Sequence, residues 1–157
     1  MKLYGSIKTM RKQSGFTLLE LIVVIAILGI MAAIVVPNYL SWVPKNRIKG
    51  AARDLYSNMQ LARMAAIKNS NTSTITYSST GYTTTVNAIT GNTTQTVNLA
   101  NEWSNGVQFN PTPGVLTFDS RGTVPGGPSF AVLSNADGSI RYQVGALISG
   151  VIQLRKL

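Results

Sequence analysis

The sequence predicts an α+β chain: a long N-terminal helix, transmembrane in its first half and amphipathic in its second, packed on a C-terminal antiparallel β domain. Three observations carry this. Phe16 to Val36 is apolar except for Glu20. A stripe of apolar residues then recurs at spacings of three and four. Beyond Asn69 the chain turns to Thr, Tyr, Val and Ile, broken by glycine and asparagine turns.

The apolar run has 21 residues. At about 1.5 Å each it spans roughly 31 Å, enough to cross a hydrocarbon core. Lys2, Lys8, Arg11 and Lys12 precede it. A basic flank keeps the N-terminus cytoplasmic and sends the rest across. An ordinary secretory signal fits less well, because its apolar stretch is about 7–15 residues and ends at a small-residue cleavage site. No such site follows here.

Pro37 and Pro44 come next, and a bend or local melting is expected from Pro37 to Lys45, since each proline removes a backbone donor and crowds the preceding turn. Helical periodicity then resumes through Ile48, Ala51, Ala52, Leu55, Met59, Ala62 and Ala66, which form one stripe. The helix is expected to stop near Asn69. The expected organisation is a leader at 1–15, a membrane helix at 16–44 and an exported domain at 45–157.

Asn69 to Asn101 holds no charge and is rich in Thr, Ser and Asn. It reads as polar, loosely alternating strands with turns at Gly81 and at Thr90 to Asn92; its composition is also compatible with disorder over part of it. Later strands are expected at Val115–Phe118, Ser129–Leu133, Ile140–Val144 and Leu147–Leu154. Asn135-Ala136-Asp137-Gly138 supplies a hairpin turn. One antiparallel sheet over the helix would bury the stripe.

The formal charge of +9 is uneven, and without the leader it falls to about +5. Much of it is therefore a topology signal. There is no cysteine and no histidine, which removes thiol nucleophiles, disulfides and the usual zinc ligands. Five carboxylates without a visible base leave little for acid–base or nucleophilic chemistry. An enzyme is not expected, and no cofactor is implied. The basic residues from Lys45 to Lys49 suit lipid headgroups.

Gly15-Phe16-Thr17-Leu18-Leu19-Glu20-Leu21, ahead of Ile22 to Ile30, resembles the class III signal of type IV prepilins and pseudopilins. The resemblance implies cleavage after Gly15 by a prepilin peptidase and N-methylation of Phe16. It implies that Glu20, fifth in the mature chain, pairs with the amino terminus of a neighbouring subunit. Pro37, the twenty-second mature residue, also matches the family pattern. The physics is consistent: a carboxylate within an apolar helix costs several kcal/mol unless it finds a partner or a proton.

The run Ala51 to Lys68 is similar to the helix of the GspH/FimT group of minor pseudopilins and pilins. Leu116 to Gly122 and Asn135 to Arg141 resemble its later strands and turns. The block Asn69 to Asn101 has no counterpart in that likeness. What the resemblance implies is a minor subunit of a type II secretion pseudopilus or type IV pilus. Its partners would be other pilins, the peptidase and an ATP-driven inner-membrane assembly platform. It would sit in the bacterial inner membrane with its domain periplasmic, then in a filament. Two alternatives stand beside it. One is a DNA-capturing minor pilin using Arg141, Arg155 and Lys156, weaker because two or three phosphate contacts give feeble, salt-sensitive binding. The other is a major pilin or pseudopilin. That branch typically binds calcium near its C-terminus, where this chain has only Asp119 and Asp137 as carboxylates.

Overall fold

The computed structural model describes residues 15–89, 91–103, 106–110 and 114–157. The leader positions 1–14, and Thr90 of the expected turn, lie outside them. The chain divides into two compact units, residues 1–39 and 40–157. The helix α1 (Leu18–Lys68) contributes to both.

In the first unit every described residue of α1 is exposed. The helical assignment is continuous across Pro37 and into the second unit across Pro44. This corrects the expected melting from Pro37 to Lys45. Each proline removes one helical hydrogen bond. Unwinding several residues would free more backbone groups, and in an apolar medium each costs several kcal/mol. Losing one bond is the smaller penalty.

In the second unit the expected stripe is the buried face of α1: Ile48, Ala51, Ala52, Leu55, Met59, Ala62 and Ala66 are all sealed from solvent. The helix ends where expected, by a recognisable device. The Ser70 N–H donates to the Ile67 carbonyl at 3.2 Å, and the Asn71 N–H to the Ala66 carbonyl at 3.1 Å. This is the Schellman pattern, whose left-handed position usually holds glycine. Here Ser70 occupies it, at φ 48°. Ser70→Gly is expected to raise stability by up to about 1 kcal/mol, because it relieves left-handed strain at some cost in chain entropy. A melt of the variant that is unchanged or lower contradicts this.

Two four-stranded antiparallel sheets follow, where the sequence suggested one. The strands β1 (Ser73–Ser78), β2 (Gly81–Val86), β3 (Thr93–Asn98) and β5 (Val115–Phe118) form the first, in the order β3-β2-β1-β5. The strands β4 (Val107–Phe109), β6 (Ser129–Asn135), β7 (Arg141–Ala146) and β8 (Ile152–Lys156) form the second, in the order β4-β6-β7-β8. A short helix α2 (Leu99–Trp103) sits between β3 and β4. The uncharged block is thus mostly regular strand. The last strand begins at Ile152 rather than Leu147, because Leu147 to Gly150 is a turn closed by the Gly150 N–H on the Leu147 carbonyl at 2.8 Å. Gly150 has φ +79°, and a Cβ there would collide with the Gly122 carbonyl.

The sheets converge on α1. Ile75, Tyr77, Tyr82, Leu116 and Phe118 come from the first, and Leu133, Val144 and Ala146 from the second. Tyr77 meets Phe109 edge to face at 5.4 Å, joining the two sheets. Two polar links pin the helix. The Tyr82 hydroxyl donates to the Asp54 carboxylate at 2.8 Å and accepts from the Asn58 amide at 2.7 Å. Burial, reinforced by the Asp54 carboxylate, pushes the Tyr82 hydroxyl pKa well above its ordinary value, so it remains a donor. The Arg63 Nε donates to the Gly122 carbonyl at 2.9 Å. That loop is shaped by Asp119, which accepts from the Thr123 N–H at 2.7 Å and the Arg121 N–H at 3.0 Å. These bonds, the Thr123 N–H first, hold the Asp119 carboxyl below its usual range.

Candidate functional site

Gly15, Phe16 and Thr17 are exposed and non-helical, and α1 starts immediately after them. The Thr17 hydroxyl accepts the Glu20 N–H at 3.2 Å, and its carbonyl accepts the Leu21 N–H at 3.2 Å. Thr17 is therefore the N-cap, satisfying one of the orphan donors of the first turn. The Thr-x-x-Glu spacing is the sequence signature of a capping box, and it could have located the helix start. The bond after Gly15 lies in non-helical backbone just ahead of the cap, a conformation a protease can engage. Among the described residues, a side chain at Gly15 would meet no other atom within 4 Å.

Glu20 sits in the first turn of α1 and is exposed. Among the described residues its carboxylate is in no ion pair. Its position at the positive end of the helix macrodipole is worth about 0.3–1 kcal/mol, less than the several kcal/mol of desolvation it meets in an apolar setting. Around it, Phe16 is 86% exposed, and the large apolar side chains from Leu18 to Trp42 are likewise exposed. The helix is long and apolar enough to cross a membrane, with a mean hydropathy of 3.0 over its best window. The first unit is thus an uncovered apolar helix carrying one carboxylate near its start.

The basic residues of the last third do not form one cluster. Arg141 opens β7, and β8 pairs with it in the register Gln143 with Arg155 and Tyr142 with Lys156. Side chains alternate between faces along a strand. Arg141 and Arg155 therefore share one face of the sheet, and Lys156 lies on the other, with Tyr142 and Val144. The three candidates for a phosphate contact are divided.

Comparison with known proteins agrees with both halves. Residues 10–36 match the prokaryotic N-terminal methylation motif, and residues 51–150 match the family Type II transport protein GspH. The type II secretion system core protein G of Vibrio cholerae is 46% identical over 63 residues, which cover 40% of this chain and 43% of that protein. A fimbrial protein of Pseudomonas aeruginosa is 40% identical over 58 residues, 37% of either chain. The chain thus spans about two-fifths of the length of these curated relatives. The crystal structure of the type IV minor pilin FimU of Pseudomonas aeruginosa shares the fold, with a TM-score of 0.52 and 17% identity over 73% of this chain and 92% of that one. With a methylation motif at the head of its apolar helix and a match across residues 51–150 of the domain that follows, this chain belongs to the family Type II transport protein GspH.

Proposed function

We propose that the chain is a minor filament subunit, made as a precursor and cut after Gly15 by a prepilin peptidase. Phe16 is then N-methylated. The helix holds the chain in the bacterial inner membrane, with its N-terminus cytoplasmic and its domain periplasmic. An inner-membrane assembly platform moves it into a type II secretion pseudopilus or type IV pilus beside other pilins. It performs no chemistry of its own; its work is packing and contact.

The observation that carries this reading is the Gly15-Phe16-Thr17-Leu18-Leu19-Glu20 register at the head of an exposed apolar helix. The GspH match favours a minor subunit over a major one. DNA capture is not favoured, because Lys156 is turned away from Arg141 and Arg155.

Processing is tested on gels of cells that contain the peptidase. The parent is expected to run as the shorter mature form and Gly15→Val as the uncut precursor. A branched side chain then replaces the residue ahead of the proposed cut, at a position that the other described residues leave open. Normal cutting of Gly15→Val, or cutting elsewhere in the parent, contradicts the assignment.

A further inference from the structure

The uncharged block from Asn69 to Asn101 is a part of the sequence on which the proposed function does not draw. In the structure it carries a Thr-x-Thr pattern on each of three neighbouring strands: Thr74 and Thr76 on β1, Thr83 and Thr85 on β2, Thr94 and Thr96 on β3. The strand register lines these up. Thr117, Thr74, Thr85 and Thr94 form one row across the sheet, and Val115, Thr76, Thr83 and Thr96 form the next. Both rows lie on the face away from the core, because the alternating residues Ile75, Tyr77, Tyr82, Leu116 and Phe118 are buried. All seven threonines are exposed or half-buried. Hydroxyls touch within both rows, at 3.4 Å between Thr74 and Thr117 and at 3.1 Å between Thr83 and Thr96. With strands about 4.8 Å apart, a row spans about 14 Å, and the rows stand about 6.8 Å from each other.

At its β5 end this face opens into a cleft of about 250 Å³, lined by Val115, Thr117, Gly126, Gly127 and Ser129 among others. A Cβ at Gly126 or Gly127 would meet no atom of the described residues within 4 Å. Val115 is 58% exposed and adds an apolar contact beside the hydroxyls.

A sheet face that merely meets water normally intersperses charges and guards its edges with lysine. The chain has 14 lysines and arginines, and none lies on any strand of this sheet. Each threonine offers a hydroxyl, able to donate and accept, beside a methyl. The lattice therefore alternates hydrogen-bonding and C–H surface without charge. Nucleic acid or anionic lipid finds no cation here, and an apolar protein surface would leave the hydroxyls unsatisfied. A carbohydrate presents the same alternation of hydroxyl and C–H groups, and a neutral one matches in charge.

We propose that the outer face of the β3-β2-β1-β5 sheet, together with the cleft at its β5 end, binds a neutral polysaccharide. This goes beyond filament assembly and does not depend on it.

The test is retention of the full chain, in a zwitterionic detergent without sugar groups, on cellulose, chitin and mannan particles. Polyacrylamide beads and heparin beads serve as references. Retention is expected on at least one neutral glycan, above polyacrylamide and insensitive to salt. Replacing Thr74, Thr76, Thr83 and Thr85 together by valine keeps shape and strand preference while removing hydroxyls, and should weaken retention by about tenfold or more. If that variant melts lower than the parent, Thr94→Val with Thr96→Val on the edge strand replaces it and should weaken retention in the same direction. Gln153→Ala on β8 should change nothing. No retention on all three glycans, retention on heparin alone, or retention undiminished in the valine variants overturns the proposal.

Discussion

Replacing Glu20 by leucine is expected to leave the chain cleaved and stably inserted in the membrane but absent from filaments. Insertion needs only apolar length, and removing a charge from the helix favours it. Assembly differs. On the proposed processing, cleavage would create a positive amino terminus on Phe16, and packing α1 among other apolar helices would bury it. Without the carboxylate that charge has no partner, and an unpaired buried charge costs about 3–5 kcal/mol. At about 1.4 kcal/mol per tenfold, that is a loss of several hundredfold or more in subunit docking. The helix-dipole contribution of Glu20 within its own helix is under about 1 kcal/mol, too small for such a loss. Membrane fractionation and blotting of sheared filaments read the result. Normal incorporation of Glu20→Leu would show that the carboxylate is dispensable.

The second large effect is expected in the domain. Leu55 is sealed from solvent in the middle of the α1 stripe. Leu55→Asp puts a carboxylate into a cluster of buried apolar side chains, so it must stay charged at high cost or take up a proton. Either route removes several kcal/mol, a large share of the 5–15 kcal/mol that holds a typical domain folded. The variant should melt far below the parent or fail to accumulate, whereas Leu55→Met should cost under about 1.5 kcal/mol. Matching melts for Leu55→Asp and the parent would mean that the stripe faces outward.

What could be read from the sequence follows the range of each signal. The apolar run and the Ile48 to Ala66 stripe are one-dimensional patterns, and the structure puts each on α1 where its spacing implied. Strand existence was likewise legible from Thr, Tyr and Val content. Partition into two sheets was not, because it depends on β1 pairing with β5 across some forty residues of chain, with no local mark. The elements β4 and α2 are too short to show a period. The local melting expected around Pro37 and Pro44 does not occur, because each proline removes only one helical hydrogen bond and the rest of the ladder persists. Placing the last strand at Leu147 hid the turn at Gly150 and with it the true pairing of β8. Only the pairing Tyr142 with Lys156 and Gln143 with Arg155 reveals that the adjacent basic residues Arg155 and Lys156 belong to different faces. Within the candidate site, the Thr17 cap was readable from its spacing to Glu20. The Asp54–Tyr82–Asn58 link was not, since Tyr82 lies on a strand well removed in sequence from the helix it pins.

The central claim, that this chain is a processed subunit packed by its exposed helix into a filament, is tested most directly by the intact mass of the chain recovered from sheared filaments. A species that begins at Phe16 with one added methyl group, found together with other pilins, is the expected result. Its absence from sheared material that does contain other pilins, or its presence there with the leader still attached, would contradict the account.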